Sequence, residues 1–380
     1  MSNPKKVLLA RTGLACGALV LALVALEFAV RLLGPGGGAS FLYQSPALGP
    51  QLLYADDLDL GLVPIPGVEA YQRTLEYAVT TRFNAQGLRG PEIGEREEGE
   101  LRILTLGDSF TLATQVSEED SFQAKLATLL GGRLDRPVQV FNGGVDGYGT
   151  VQERIRLEQL AETTGVDVAV LVFFLGNDFT DNCLYPGQRQ SREHIMRRGI
   201  SLLPNPPAPS RIALFFHRHS MLMAQVQLVR KRRQLGAGNN GFEQSRYRKE
   251  VALYASDEDE IGRLLHCTSN ALEDLAQVCT SLDIPCTIVL APPLYIVDEG
   301  RLPKTFAFVG LDPATASAEQ PVEAVRSVLP ETLTMLDMTP VLSAESPAPY
   351  FRIDGHWNPR GHTLVAEALA NHLPGILNVE

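Results

Sequence analysis

Runs of apolar residues that alternate with amphipathic helical segments are the feature that most constrains the fold of this chain. Strands are predicted at 101–107, 138–142 and 166–178, and the last of these, VDVAVLVFFLGND, is apolar at odd and even positions alike. A strand with two apolar faces is typical of a parallel sheet that helices cover on both sides. The segment EDLAQVCTSLDIPCTIVLAPP predicts another helix and strand, and LTMLDMTP predicts an edge strand. The sequence therefore predicts a doubly wound α/β domain, with a parallel sheet sandwiched by helices.

Helix boundaries in this domain are also marked in the sequence. In SEEDSFQAKLATLLGG, Ser117 is a suitable N-cap residue with Asp120 three residues later, and Gly131 is typical of a helix end. The segment PRGHTLVAEALANHL predicts a closing helix with a proline in its first turn.

The N-terminus predicts a membrane segment. Lys5, Lys6 and Arg11 precede fifteen uncharged residues, 12–26, and a further apolar turn follows Glu27. Together these residues are long enough to cross a bilayer. The basic residues favour a cytoplasmic N-terminus, which would place the rest of the chain outside the cytoplasm, at the periplasm or the cell surface. A cleaved signal peptide is the main alternative, because the apolar run before Glu27 is short, although no clear small-x-small cleavage site follows it.

These features divide the chain into segments. The stretch GPGGGAS begins a flexible spacer, and YAVTTRFN at 77–84 is strand-like. We predict the following organisation: a cytoplasmic tail (1–11), a transmembrane anchor (12–33), a linker and β-rich lead-in (34–98), and a main domain (99–376) that carries an insertion (184–250).

The insertion is strongly basic, with thirteen Lys or Arg residues against three acidic residues in 184–250, although the whole chain has a net charge of −11. It contains an apolar helical segment, 212–229, followed by RKRR at 230–233. One interpretation is a lid or interfacial helix that rests on anionic headgroups or guides an acidic glycan. The other is a helix that covers the domain's own core, with solvated arginines.

Composition restricts the partners. The net charge of −11 argues against a general nucleic-acid binder, which needs a basic face to neutralise phosphates. Outside the cytoplasm, Cys183, Cys267, Cys279 and Cys286 would form one or two disulfides, whose pairing the sequence does not give. No CxxC pair or His/Cys cluster has the spacing of a zinc site, so neither a metal nor another cofactor is predicted.

Four short stretches rich in small and polar residues lie where reactive groups are expected in this topology. GDSFT (107–111), NGGVDGYGT (142–150) and GND (176–178) each lie at the carboxyl end of a predicted strand, and DGHWNPRGH (354–362) precedes the closing helix. In an open α/β sheet, reactive groups gather at the carboxyl ends of the strands, where helix N-termini present free N–H groups. Each stretch alone is a weak signal, whereas the four together in this order predict an active site.

In this order, the stretches resemble the sequence blocks of the SGNH hydrolases, the GDSL esterase/lipase superfamily. The resemblance covers about 100–373 outside the insertion and implies a flavodoxin-like SGNH fold. It implies that Ser109 is the nucleophile and that Gly147, five residues after an asparagine, is the glycine of the second block. Asn177 corresponds to the asparagine of the third block, and His356 to the histidine of the last.

The mechanism that this resemblance implies is acyl transfer. Ser109 attacks an ester carbonyl, His356 accepts its proton, and Asp354 holds the imidazole in the required tautomer. The oxyanion would be bound by the N–H groups of Ser109 and Gly147 and by the side-chain amide of Asn177. No cofactor takes part. Other polar residues near these stretches, namely Asp108, Asp178 and His362, are interpreted as structural.

One departure from the family pattern bears on the reaction. The family's last block spaces its acid three residues before the histidine, whereas Asp354 precedes His356 by two. This shorter spacing with a following tryptophan, DGHW, resembles the alginate O-acetyltransferase type of SGNH protein. The resemblance and the N-terminal segment together predict a membrane-bound esterase for an acetyl or acyl ester of an envelope glycan or lipid. The shorter spacing favours the alternative, O-acyl transfer to an envelope polysaccharide. A non-catalytic envelope binding protein is a third hypothesis, against which the complete residue set argues.

Overall fold

A computed structural model of the chain provides the fold. It describes residues 4–33, 53–184 and 249–377 except for positions 58, 75 and 353, together with residues 220 and 222; within 4–33, side chains are described for 11–29. Most of the predicted linker and nearly all of the predicted insertion, including the apolar segment 212–229 and the RKRR run, lie outside the described residues.

The N-terminal helix α1 (Pro4–Leu33) contains the predicted membrane segment. Among the described helices, α1 alone is long and apolar enough to cross a membrane, over Arg11–Ala29, and a signal sequence would meet the same criterion. Within it, the Glu27 carboxylate accepts hydrogen bonds from Ser220 Oγ (2.8 Å) and from the Leu222 N–H (2.9 Å). Glu27 of α1 is therefore hydrogen-bonded to two residues of the predicted insertion.

Two antiparallel hairpins form the described part of the lead-in. Strand β1 (Tyr54–Asp57) pairs with β2 (Gly61–Pro64), and β3 (Glu69–Arg73) pairs with β4 (Ala78–Arg82). The strand expected at 77–84 is present as β4. Strand β4 alternates exposed and buried residues, as expected for a hairpin with one face on the main domain.

A five-stranded parallel sheet forms the centre of the main domain, and its strands lie in the order β6 (Val138–Asn142), β5 (Leu101–Gly107), β7 (Val168–Phe174), β8 (Cys286–Ala291) and β9 (Thr334–Asp337). This confirms the predicted α/β architecture, and β9 is the predicted edge strand. The elements follow one another as β5 (Leu101–Gly107), α2 (Ser109–Leu112), α3 (Phe122–Leu134), β6 (Val138–Asn142), α4 (Thr150–Thr164), β7 (Val168–Phe174), α5 (Asp178–Leu184), α6 (Ala252–Ala255), α7 (Glu258–Ser281), β8 (Cys286–Ala291), α8 (Leu294–Val297), α9 (Leu302–Val309), α10 (Gln320–Val328), β9 (Thr334–Asp337), α11 (Thr339–Ser343) and α12 (Pro359–Leu377).

Helices cover both faces of the sheet, and strand β7 has apolar residues on each face. Val168, Val170 and Val172 pack into a core with α3 and α12, whereas the alternating residues, such as Leu171 and Phe173, pack into a second core with α4 and α7. All seven residues of β7 are buried. Successive side chains of a strand point to opposite faces of the sheet, and here helices cover both faces. This explains why the segment is apolar at every position.

Helix α3 corrects the predicted helix boundaries. Its N-cap is Ser121, whose hydroxyl accepts the Ala124 N–H, whereas Ser117 precedes a separate 3-10 turn. The helix also continues past Gly131 to Leu134, because Leu134 adds an apolar contact to the core, and it ends at Asp135 with φ +49°. Both serines have extended φ and ψ, but only Ser121 makes a side-chain cap hydrogen bond, a difference that the sequence criterion does not reveal.

Two disulfides link the four candidate cysteines as Cys183–Cys267 and Cys279–Cys286. The first joins the end of α5, where the predicted insertion begins, to α7, which follows it. The second joins the end of α7 to the start of β8.

Candidate active site

The nucleophile candidate lies where β5 ends at the carboxyl edge of the sheet. Gly107 has φ +152°, and a Cβ at this position would lie 2.9 Å from Thr111 Cβ. The carboxylate of Asp108 then accepts the Phe110 N–H (2.8 Å) and caps α2. These two features leave Ser109 as the first residue of a short helix, with its side chain half-buried at the sheet edge.

Ser109, His356 and Asp354 form a continuous hydrogen-bonded chain. Ser109 Oγ lies 2.7 Å from His356 Nε2, and His356 Nδ1 lies 2.5 Å from Asp354 Oδ1. An ionised carboxylate only accepts hydrogen bonds, so the proton is assigned to Nδ1 and the lone pair of Nε2 faces the serine hydroxyl. The structure thus brings together three side chains that are up to 247 positions apart in sequence.

A tight loop before α12 orients the histidine. The Phe351 N–H donates to the His356 carbonyl oxygen (2.8 Å), and Gly355 provides a φ of +89° that favours glycine. Trp357 is fully buried, and its ring contacts Phe110 at 4.9 Å between centroids. The imidazole therefore faces Ser109 because its neighbour is anchored in the core beside the nucleophile helix.

The lead-in contacts the carboxylate of Asp354 directly. Tyr77 donates its hydroxyl to Asp354 Oδ2 (2.9 Å), and Glu76 Oε2 accepts the Asp354 N–H (2.8 Å). Both residues lie in the turn between β3 and β4. They were not among the residues singled out from the sequence, and no local pattern marks them, since each is more than 270 positions from its partner.

A third lead-in residue, Arg89, holds the loop that follows the nucleophile. Its guanidinium is buried and donates to the carbonyl oxygens of Leu112 (2.7 Å), Ala113 and Val116 (2.6 Å). Burial lowers the pKa of Arg89 to about 10, so it is still charged at neutral pH. The polypeptide segment after α2 is therefore fixed from outside the main domain.

The remaining predicted site residues lie in the loops on either side of β5. Gly147, with φ +74°, is in the loop between β6 and α4, and Asn177 is in the turn between β7 and α5. Both β6 and β7 pair with β5, so these loops flank the nucleophile at the same sheet edge. The Asn177 side-chain amide donates one of its two N–H groups to Asp181, which leaves its second hydrogen for another acceptor.

Three buried carboxyl groups, those of Asp108, Glu153 and Asp178, lie behind these loops. Burial raises the pKa of Asp108 to about 7 and raises the pKa values of Glu153 and Asp178 well above the ordinary range. Asp178 Oδ2 accepts the Phe174 N–H (2.8 Å), so Asp108 and Asp178 both bond to their own loops, as expected from the sequence. Neither carboxyl oxygen of Glu153 has a hydrogen-bond partner.

His362 has the contacts of a structural residue. It is buried in α12, its Nδ1 accepts the Phe122 N–H (3.3 Å), and burial lowers its pKa to about 3. It is therefore neutral at physiological pH. Among the described residues, no group of three or more His, Cys, Asp or Glu side chains has an arrangement that could hold a metal ion.

The chain is similar to solved structures of esterases, at low sequence identity. A two-domain esterase active on acetylated mannans shares 12% identity; the match covers 73% of this chain and 50% of that one, with a TM-score of 0.37. This chain thus spans about half the length of that protein. The psychrotrophic esterase EstA from a Pseudoalteromonas species shares 10% identity over 73% of this chain and 98% of its own, with a TM-score of 0.35.

A third similar structure is an acetyl xylan esterase, with 10% identity over 72% of this chain and all of the other, and a TM-score of 0.36. No family model matches the sequence, and no curated protein matches it. At these scores the likeness carries no argument about activity. What the site can do follows instead from its own residues and their geometry.

Proposed function

We propose that the chain is an SGNH-type serine hydrolase that cleaves a carboxylic ester with Ser109, His356 and Asp354 as its catalytic triad. The observation that carries this proposal is the chain of two hydrogen bonds, 2.7 Å from Ser109 Oγ to His356 Nε2 and 2.5 Å from His356 Nδ1 to Asp354 Oδ1. A serine nucleophile with an adjacent base, which a third group orients, is the arrangement that activates a hydroxyl for acyl transfer.

The reaction takes place in two halves. The hydroxyl proton of Ser109 passes to His356 Nε2 as Oγ attacks the ester carbonyl, and His356 returns the proton to the leaving alcohol as the acyl-enzyme forms. A water molecule then attacks the acyl-enzyme while His356 accepts its proton, and His356 returns this proton to Ser109 Oγ as the bond to the acyl group breaks and the free acid is released. Asp354 stabilises the imidazolium that forms in each half and does not itself become protonated.

The oxyanion of each tetrahedral intermediate is proposed to be bound by the N–H groups of Ser109 and Gly147 and by the amide of Asn177. Support comes from the position of these residues in α2 and in the loops that flank β5. Such donors stabilise charge that develops only in the transition state, and loss of one typically costs about 3 kcal/mol.

We propose that the enzyme is retained on the membrane by α1, with its catalytic domain outside the cytoplasm. Lys5, Lys6 and Arg11 favour this orientation, and two disulfides fit an oxidising compartment. The hydrogen bonds from Ser220 and Leu222 to Glu27 favour a retained helix over a cleaved signal peptide, because cleavage would remove their acceptor. The proposed substrate is an acetyl or acyl ester of an envelope glycan or lipid.

O-acyl transfer to an envelope polysaccharide is the second candidate, and the Asp-x-His-Trp spacing at Asp354 favours it. The acyl-enzyme is common to both reactions, so they differ only in whether water or a sugar hydroxyl accepts the acyl group. Incubation with an acyl donor and a sugar acceptor separates them, since acylated sugar indicates transfer and free acid alone indicates hydrolysis.

The test of the nucleophile uses p-nitrophenyl acyl esters and a serine-reactive fluorophosphonate. We expect turnover and labelling of the wild-type chain, and loss of both in Ser109→Ala with an unchanged circular dichroism spectrum. Full turnover in Ser109→Ala would refute the assignment of the nucleophile. A folded wild-type chain that fails to react with either reagent would instead favour the non-catalytic binding protein.

A further inference from the structure

We infer that Tyr77 is a positioning residue of the triad, and that the lead-in hairpin of β3 and β4 is therefore part of the catalytic unit. The inference rests on the proposed function, because it concerns how Asp354 is held for the reaction. Nothing in the four sequence blocks assigns such a role to a residue of the lead-in.

The contact that carries this inference is a partly buried hydrogen bond. Tyr77 is 8% exposed and the side chain of Asp354 is 9% exposed, and the Tyr77 hydroxyl donates to Asp354 Oδ2 at 2.9 Å. The Tyr77 ring also packs against Phe351, with 5.1 Å between ring centroids. The tyrosine is thus held by its ring and reaches Asp354 with its hydroxyl.

The two oxygens of Asp354 have different partners. Oδ1 accepts from His356 Nδ1, while Oδ2 accepts from Tyr77. A buried carboxylate oxygen without a donor is costly, and a donor on Oδ2 also restricts rotation of the carboxylate plane. Tyr77 therefore keeps Oδ1 directed at the imidazole, which in turn keeps the lone pair of Nε2 directed at Ser109.

The same turn also holds the backbone of the acid. Glu76 Oε2 accepts the Asp354 N–H at 2.8 Å, and the turn itself is closed by the Thr74 N–H donating to the Tyr77 carbonyl oxygen at 2.8 Å. Asp354 and His356 are separated by a single glycine with φ +89°. The two contacts from the lead-in add to the backbone hydrogen bonds between Phe351 and the Gly355–His356 segment in holding the acid.

The first test is Tyr77→Phe, which keeps the ring against Phe351 and removes only the hydroxyl. We expect kcat for p-nitrophenyl acetate to fall about tenfold, since one hydrogen bond to a charged group is lost, while KM stays within about twofold. Tyr254→Phe is the matched control, because its hydroxyl donates to the Ser317 carbonyl oxygen (2.6 Å), and we expect its kcat to equal that of the wild type.

A double-mutant cycle separates positioning from a general effect on the fold. The rate constant for fluorophosphonate labelling of Ser109 is measured in the wild type, Tyr77→Phe, Asp354→Ala and the double variant. If Tyr77 acts through Asp354, Tyr77→Phe slows labelling about tenfold in the wild-type background and less than about twofold in the Asp354→Ala background. An equal loss in both backgrounds, or no loss in either, overturns the inference.

A second pair of variants keeps the test decisive if Tyr77→Phe does not fold. Glu76→Ala removes the acceptor of the Asp354 N–H, whereas Glu76→Gln retains an acceptor oxygen. We expect kcat to fall severalfold in Glu76→Ala and to recover in Glu76→Gln. Equal kcat values in Glu76→Ala and the wild type would count against a role for the turn.

The outcomes also separate this inference from the proposed function. Normal wild-type turnover, an inactive Ser109→Ala and a fully active Tyr77→Phe would overturn the role of Tyr77 and leave the esterase proposal in place. A folded wild-type chain without turnover or labelling would overturn both, since there would be no nucleophile to orient.

Discussion

Asp354 and Glu153 are both acidic residues with little exposed side-chain surface, but their surroundings differ in kind. Asp354 has a donor for each carboxyl oxygen, namely the imidazole of His356 and the hydroxyl of Tyr77. Glu153 is 1% exposed, and neither of its oxygens has a partner. Its neighbours Asp108 and Asp181 are themselves acidic, and their charges raise its pKa further.

The difference determines which of these carboxyl groups is ionised in the folded protein. A carboxylate that receives hydrogen bonds is stabilised in its charged form, whereas one that is buried without donors favours the protonated form. We therefore expect Asp354 to act as an anion toward His356, and Glu153 and Asp178 to hold protons in the folded state at neutral pH, where Asp108 with its pKa of about 7 is about half protonated. The following variants test each side of this contrast.

The largest effect is expected for Asp354→Asn. An asparagine side chain directs either its oxygen or its amide group at His356 Nδ1, and the amide would hold the imidazole in the tautomer whose Nε2 carries the proton. That nitrogen then no longer accepts the proton of Ser109. We expect kcat to fall about 10³- to 10⁴-fold, measured with p-nitrophenyl esters. A loss of less than tenfold would show that Asp354 does not act on the imidazole.

Much of the structure around the nucleophile could be predicted from the sequence. Strand β5 and the turn after it lie within a few residues of Ser109, and the apolar run of β5 and the glycine at 107 are local signals. The order of the four stretches also indicated His356 and Asp354. The parallel sheet followed from the two-faced apolar pattern of β7, because side-chain direction alternates along a strand.

The lead-in contacts of the site could not be predicted from the sequence. Tyr77 and Glu76 contact Asp354, and Arg89 contacts the loop after the nucleophile; all of these partners are distant in sequence. A single tyrosine in a hairpin turn has no pattern that distinguishes it. The burial of Glu153 was equally hidden, since a charged residue in the first turn of α4 is typical of an exposed helix start. Tertiary packing determines both the lead-in contacts and the burial of Glu153, and neither can be inferred from local sequence propensity.

Replacement of Glu153 by Gln is expected to change the stability of the folded chain in a pH-dependent way. The folded-state pKa values of Asp108, Glu153 and Asp178 are raised above their unfolded values, so between about pH 4 and pH 7 the folded state binds more protons. Stability from these groups is therefore present at acidic pH and is lost as the pH rises through the folded pKa values, which for Asp108 is about 7.

Glutamine remains neutral and provides an N–H₂ group that can donate to the Asp178 Oδ1, which has no partner. We expect Glu153→Gln to raise the free energy of unfolding by about 1 to 3 kcal/mol at pH 8 and by much less at pH 4.5, from urea denaturation at both pH values. A variant that is destabilised equally at both pH values would indicate that Glu153 is ionised and paired in the folded state.

The smallest effect is expected for Asp178→Asn, with Asp178→Ala as its matched comparison. Asparagine retains an oxygen that can accept the buried Phe174 N–H, now bonded to Asp178 Oδ2 at 2.8 Å, and it removes a buried acid. We expect its free energy of unfolding at pH 7 to lie within about 1 kcal/mol of the wild type, whereas alanine leaves the Phe174 N–H unpaired and costs about 1 to 3 kcal/mol. If both variants lose the same stability, Asp178 contributes its charge rather than its acceptor oxygen, and it would then resemble Asp354 more than Glu153.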